Sequence, residues 1–182
     1  MSVPDFIRAD DVKAFWLYMA GTCRGGMPPN AAQFDLMDVY RLAPNITILD
    51  VEKPSGKLKV RFNGTAAVTL FAREVTGRFK DDLNLGPHSE KLIDTYKRTV
   101  SECRPYWILA NVELQAEHDA NVTGERVFDY ERLAFPLVDA KGEAVSVVAI
   151  LIRHPIGTAR DGFECTALDF PSAADTEKAV YS

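Results

Sequence analysis

Between Tyr106 and Arg153 the chain writes three long extended segments in succession. Residues 106–115 alternate. Tyr106, Ile108, Ala110, Val112 and Leu114 share one side, and Asn111, Glu113 and Gln115 the other. This is the period of a strand. Residues 126–138 form the second segment and 143–153 the third, joined by the turn Asp139-Ala140-Lys141-Gly142. Strands that follow one another this closely form an antiparallel meander, because a parallel pair needs a long crossover. The middle segment slips in parity. Phe128 and Tyr130 share one phase, while Leu133, Phe135 and Leu137 share the other. A bulge near Glu131 or Arg132 is the expected cause.

Upstream lie two shorter strands, 46–52 and 58–62, around the turn Lys53-Pro54-Ser55-Gly56. A short helix follows over 64–73, with Ala66, Ala67, Leu70 and Phe71 on one face. A longer helix covers 87–103, with Leu92, Ile93, Tyr96, Thr99, Val100 and Cys103 on one face. Arg104-Pro105 ends it. Asp10 reads as the cap of an N-terminal helix reaching about Ala20, with Val12, Phe15, Trp16 and Met19 as its apolar stripe. So aromatic a stripe on a short helix reads as the contact of a homodimer; the plain alternative is packing on its own domain. After Pro155 the chain turns polar and irregular, a tail in which Phe163, Leu168 and Phe170 can dock. The order predicts an α+β fold: one five-stranded antiparallel sheet with helices on one face. Residues 1–30 are the N-terminal helix and loop, 31–154 the domain, and 155–182 the tail.

Charge and motifs narrow the chemistry. Lys and Arg total 21 against 26 Asp and Glu, a net charge of −5 without a basic block. Nucleic acid is therefore not an expected partner. The three cysteines are widely separated, so neither a disulfide framework nor a zinc site is predicted, and a reducing cytoplasm fits. The first eleven residues carry acids and no apolar core, so no secretory leader is expected. The longest apolar stretch, 145–152, falls far short of the roughly 20 residues that span a membrane. No histidine pair has metal spacing. No GxSxG, HExxH or glycine-rich phosphate loop occurs, so no catalytic residue is assigned. The competing class is a small α+β pocket enzyme of isomerase or hydrolase type, but such folds begin with long helices.

The segment Val60-Arg61-Phe62-Asn63-Gly64-Thr65-Ala66-Ala67 leads into Leu70-Phe71-Ala72-Arg73-Glu74-Val75-Thr76-Gly77-Arg78. Together they resemble the strand, short helix and TGR turn of a bacterial, single-domain branch of PAS-like proteins. Phe15-Trp16 resembles the aromatic N-terminal helix of that branch. Asp35-Leu36-Met37-Asp38 with Pro44 is similar to its entry into the first strand, and Tyr130-Glu131-Arg132-Leu133 with Pro136-Leu137 to its penultimate strand. The resemblance spans about residues 12–153.

It implies a sensory or interaction module with a small cavity between sheet and helices. Such cavities hold haem, flavin, a small metabolite or nothing known. Dimerisation through an N-terminal helix and signalling to a separate partner protein go with it. Haem is not expected, because His88 stands one turn before the ligand position, where Leu92 falls. Flavin is not expected either: nothing in the sequence points to non-covalent flavin, and covalent flavin photochemistry is excluded by the residues present. The light-sensing branch carries its reactive cysteine in an Asn-Cys-Arg run, and Asn63-Gly64-Thr65 stands here. The cofactor stays unknown. The expected ligand-binding residues are Leu92, Tyr96, Trp107, Leu109, Tyr130 and Arg132, with Arg132 placed to hold a carboxylate or phosphate. The plain alternative has Glu131 and Arg132 facing solvent or pairing across the sheet, in a ligand-free interaction module.

Overall fold

Strand pairing organises the computed structural model, which describes residues 2–71, 73–83, 88–114, 126–159 and 162–170. The strands are β1 (Ile46–Glu52), β2 (Lys57–Asn63), β3 (Tyr106–Leu114), β4 (Arg126–Val138), β5 (Ala144–His154) and β6 (Phe163–Ala167). They form one sheet in the order β2-β1-β5-β4-β3-β6, antiparallel throughout. The helices are α1 (Asp10–Thr22), α2 (Thr65–Phe71) and α3 (Ser89–Ser101). None of the described helices is long and apolar enough to cross a membrane.

Two expectations about the sheet need correction. A sixth strand, β6, lies inside the region that reads as a tail. It pairs with β3 from Tyr106–Ala167 to Ala110–Phe163. Its side chains are half-buried or exposed, so no apolar alternation marks it in the sequence. Beyond it Leu168 and Phe170 join the core. Residues 171–182 of that tail and the loop 115–125 lie outside the described residues.

The second correction concerns β4. No bulge interrupts it near Glu131 or Arg132, and its register runs unbroken along β3 and β5 from Asp129 to Ala134. The apparent slip in parity arises because both faces of the sheet are buried. Phe128, Tyr130 and Ala134 face the layer holding α3, while Leu133, Phe135 and Leu137 face the layer holding α1. Helices therefore cover both faces, not one.

Helix α1 forms that second layer. Val12, Phe15, Trp16 and Met19 are all buried within the chain. The rings of Phe15 and Trp16 stand 6.0 and 5.5 Å from that of Phe135. The stripe that reads as a contact between two copies is thus closed by the chain's own sheet. Each such side chain contributes about 1.5–3 kcal/mol by leaving water. Nor does Asp10 cap the helix. Ala9 occupies that position without a side-chain bond.

The segment that carries the family resemblance has structural work of its own. A Cβ on Gly64 would lie 2.3 Å from the Pro44 carbonyl oxygen, so glycine alone lets the turn at 43–45 sit on the start of α2. Gly77, at φ 83°, turns the chain back along the free edge of β2. It donates to the Val60 carbonyl at 2.7 Å, and the Val60 N–H donates to Arg78 at 2.9 Å. Glu74 closes the turn by accepting from the N–H groups of Val75 and Thr76 and from the Thr76 hydroxyl. This return aims the next residues, the short helix Lys80–Asp82, inward.

Candidate functional site

The six expected ligand-binding residues divide between the two layers. Leu92, Tyr96 and Tyr130 pack together between α3 and the sheet. Trp107 and Leu109 belong to the α1 layer, with Leu133 and Ile150. Alternation along β3 decides this, since it is Ile108, Ala110 and Val112 that meet Tyr96 and Tyr130.

Arg132 lies in the α3 layer, 2% exposed. It donates through Nη1 to the Tyr96 hydroxyl. Its guanidinium carbon is 5.4 Å from the centre of the Tyr96 ring and 5.3 Å from that of Tyr130. Its Nε is buried without a partner. Lys80 comes to the same place, 4% exposed, with Nζ 5.7 Å from the centre of the Tyr96 ring. Among the described residues neither cation has a carboxylate in ion-pair range.

Burial holds Lys80 well below the ordinary lysine pKa, and the Arg132 charge adds to that. Burial alone brings Arg132 down to about 9. Two cations in an apolar layer are a costly arrangement unless something offsets their charge. Lys80 escapes a sequence reading. It stands in Arg78-Phe79-Lys80-Asp81-Asp82, which has the composition of a solvated loop. The available signal is the glycine turn just before it.

A cleft of about 730 Å³ opens between α2 and the sheet. Thr65, Thr69, Leu70, Phe128, Leu151 and Arg153 are among its walls. Lys80 and Arg132 are not on that wall. Arg132 stands directly across the β4–β5 ladder from Leu151, which is.

The opposite face of β4 carries two buried carboxylates, which sequence reasoning left to solvent or cross-sheet pairing. Glu131 is fully buried. Its Oε1 accepts from the Arg8 backbone N–H at 2.8 Å and from Trp107 Nε1 at 2.7 Å. Its Oε2 accepts from the Ala9 N–H at 2.8 Å and contacts His154 Nε2 at 2.9 Å. Asp129 accepts from Asn111 Nδ2 and the Ala159 N–H, both at 2.8 Å. Glu131 therefore fastens the start of α1 to the sheet, and Trp107 Nε1 is part of that anchor, in the layer opposite Arg132.

No cysteine lines the cleft. Burial pushes the Cys23 thiol up to about 12, which keeps it protonated. Among the described residues no group of three His, Cys, Asp or Glu side chains could hold a metal ion.

No family model and no curated protein matches the chain. Solved structures do. A light-oxygen-voltage domain studied through a flavin analogue is 16% identical, with a TM-score of 0.51 over 72% of this chain and 93% of that one. The dark structure of the blue-light photoreceptor aureochrome1 LOV domain is 15% identical, with a TM-score of 0.49 over 82% of this chain and 96% of that one. The first of these shows the fold. The chain has the PAS-like α+β architecture, extended by β6. A thiol adduct to flavin does not fit this cleft wall, which has no cysteine.

Proposed function

We propose that the chain is a non-catalytic sensory module. It takes a small molecule into the cleft between α2 and the sheet, and it reports occupancy through the sheet to α1. The fold supports this only as an analogy, since one fold hosts many functions. The observation that carries it lies on β4. Arg132 and Glu131 are neighbours in the chain, about 3.3 Å apart along a strand, and they face opposite layers. Arg132 is buried in the α3 layer, on the face of the sheet where Leu151, its partner across the ladder, lines the cleft. Glu131 holds the N–H groups of Arg8 and Ala9, where α1 begins. A ligand that moves Arg132 moves the strand that carries the α1 anchor. A signalling partner would then meet the α1 layer.

Native mass spectrometry and an absorption spectrum of freshly purified protein test this reading. The expected result is a bound mass that is lost on gentle unfolding. Refolded, stripped protein should then exchange its Arg8 and Ala9 amide hydrogens faster than the freshly purified form. An unliganded mass throughout, with identical exchange in both forms, would leave only the ligand-free interaction module.

A further inference from the structure

Resting on that reading, we infer that the cleft takes an organic carboxylate, whose apolar body lies beside Leu151, Leu70 and Phe128 and whose head group reaches past Leu151 to Arg132 and Lys80. The argument begins with the missing counter-charge. None of the described acids nearest in sequence or strand position is in ion-pair range of either cation. Asp81 is half-buried and pairs through Oδ1 with Lys97, while its buried Oδ2 has no partner and lies outside ion-pair range of Lys80 and Arg132. Asp129 and Glu131 face the other layer and are occupied there. The chain therefore brings two cations into one apolar layer and supplies no described anion to either.

Geometry then selects among anions. Arg132 commits Nη1 to Tyr96 and leaves Nε buried with no partner; Nε and Nη2 form the side-on edge of the guanidinium. That edge matches the two oxygens of a planar carboxylate. Having accepted from Arg132, the Tyr96 hydroxyl keeps its own proton to donate to one of those oxygens. Lys80 adds a point charge near the same ring. The neighbouring Leu92, Ala134, Ala149 and Leu151 are apolar, which suits a carboxylate with an apolar body better than a phosphate dianion. Leu151, across the ladder from Arg132, is also where the cleft begins, which gives the rest of the molecule a place to lie.

The test uses the full chain and a probe panel: propionate, succinate, phenylacetate and 4-hydroxybenzoate. Their neutral amides and inorganic phosphate serve as controls. Thermal shift finds the binder and calorimetry measures it in wild type, Arg132→Met, Lys80→Met and Tyr96→Phe. The expected result is that a carboxylate stabilises the wild type and its amide does not. Arg132→Met should weaken binding roughly 100-fold, and Lys80→Met and Tyr96→Phe roughly 10-fold each, the loss of one charged or one neutral contact. Tyr96→Phe keeps the ring and the packing, so it answers even if a charge variant misfolds. Equal effects of amide and acid, full affinity in Arg132→Met, or phosphate matching every carboxylate would overturn the carboxylate site. So would a neutral bound mass in the freshly purified protein, which leaves the sensory reading standing. No shift from any probe and no bound mass would overturn both.

Discussion

Replacing Lys80 by methionine should stabilise the unliganded chain, by an amount that changes with pH in a defined direction. Lys80 is 4% exposed, and burial holds its pKa well below the ordinary 10.5. The unfolded chain carries that proton freely at about pH 7. The folded chain must either release it or keep a charge out of water. Releasing it from an ordinary lysine at that pH costs about 5 kcal/mol, at roughly 1.36 kcal/mol per pH unit, and this is the ceiling. Any charge retained near the Tyr96 ring lowers the figure, since a desolvated cation–π contact is worth about 2 kcal/mol. Methionine fills most of the stem's volume without the charge. A gain of about 1–3 kcal/mol follows, or roughly 2–4 °C in Tm per kcal/mol for a chain of this size.

The pH dependence separates this cause from simple repacking. For a base with a depressed folded-state pKa, the unfolded chain binds more protons at any pH between the two pKa values. Wild-type stability therefore rises with pH across that window, by up to about 1.4 kcal/mol per unit. The advantage of Lys80→Met should shrink accordingly as pH rises through that window. The groups sharing the layer with Lys80 are Tyr96, Tyr130 and Arg132. Burial raises the Tyr130 pKa, which keeps that hydroxyl neutral in this range. Arg132, near 9, starts to titrate at the upper end, so the clean comparison stops at about pH 8. Urea melts of both proteins at half-unit pH steps supply the measurement. A variant less stable than wild type at about pH 7, or a gain that does not vary with pH, would refute the reasoning.

Three further outcomes follow from the packing. Phe15→Ala should cost about 3–5 kcal/mol in urea unfolding, because it empties a fully buried site against Phe135; a dimer seam would instead show as a change of mass by light scattering at unchanged stability. Gly64→Ala should cost more than about 3 kcal/mol or abolish soluble expression, since its methyl meets the backbone of Pro44. Glu131→Gln presents an amide NH2 to a cluster of donors. It should cost about 3 kcal/mol or more and speed hydrogen exchange at Arg8 and Ala9.

The strands were legible because each has a strong local signal. Residues 46–52, 126–138 and 143–153 carry their apolar residues and turns where a ladder needs them. What failed was the assumption of a single buried face. With one face buried, the shift from Tyr130 to Leu133 requires a bulge. With α1 on the second face, it requires none. The same error made Val12, Phe15, Trp16 and Met19 look like an unpartnered stripe, when the sheet face they cover was being read as solvent. Strand β6 failed for a different reason. It is held by its backbone ladder to β3, which leaves no trace in side-chain patterning.

The site was legible where a charge stood out against apolar neighbours and hidden where it did not. Arg132 sits mid-strand between Tyr130 and Ala134 and could be singled out. Lys80, flanked by Asp81 and Asp82, could not, because only the turn at Gly77 sends it inward. Charge in an apolar stretch does not by itself separate ligand chemistry from architecture, as β4 shows with two adjacent residues. Both Glu131 and Arg132 are almost wholly buried. Glu131 meets four partners from its own chain, which fix a helix to a sheet. Arg132 meets the Tyr96 hydroxyl and is left with an unpartnered Nε beside a second cation. A buried charge that its own chain satisfies is architecture. One that the described residues leave open, as Arg132 is at Nε, is where the proposed ligand would bind.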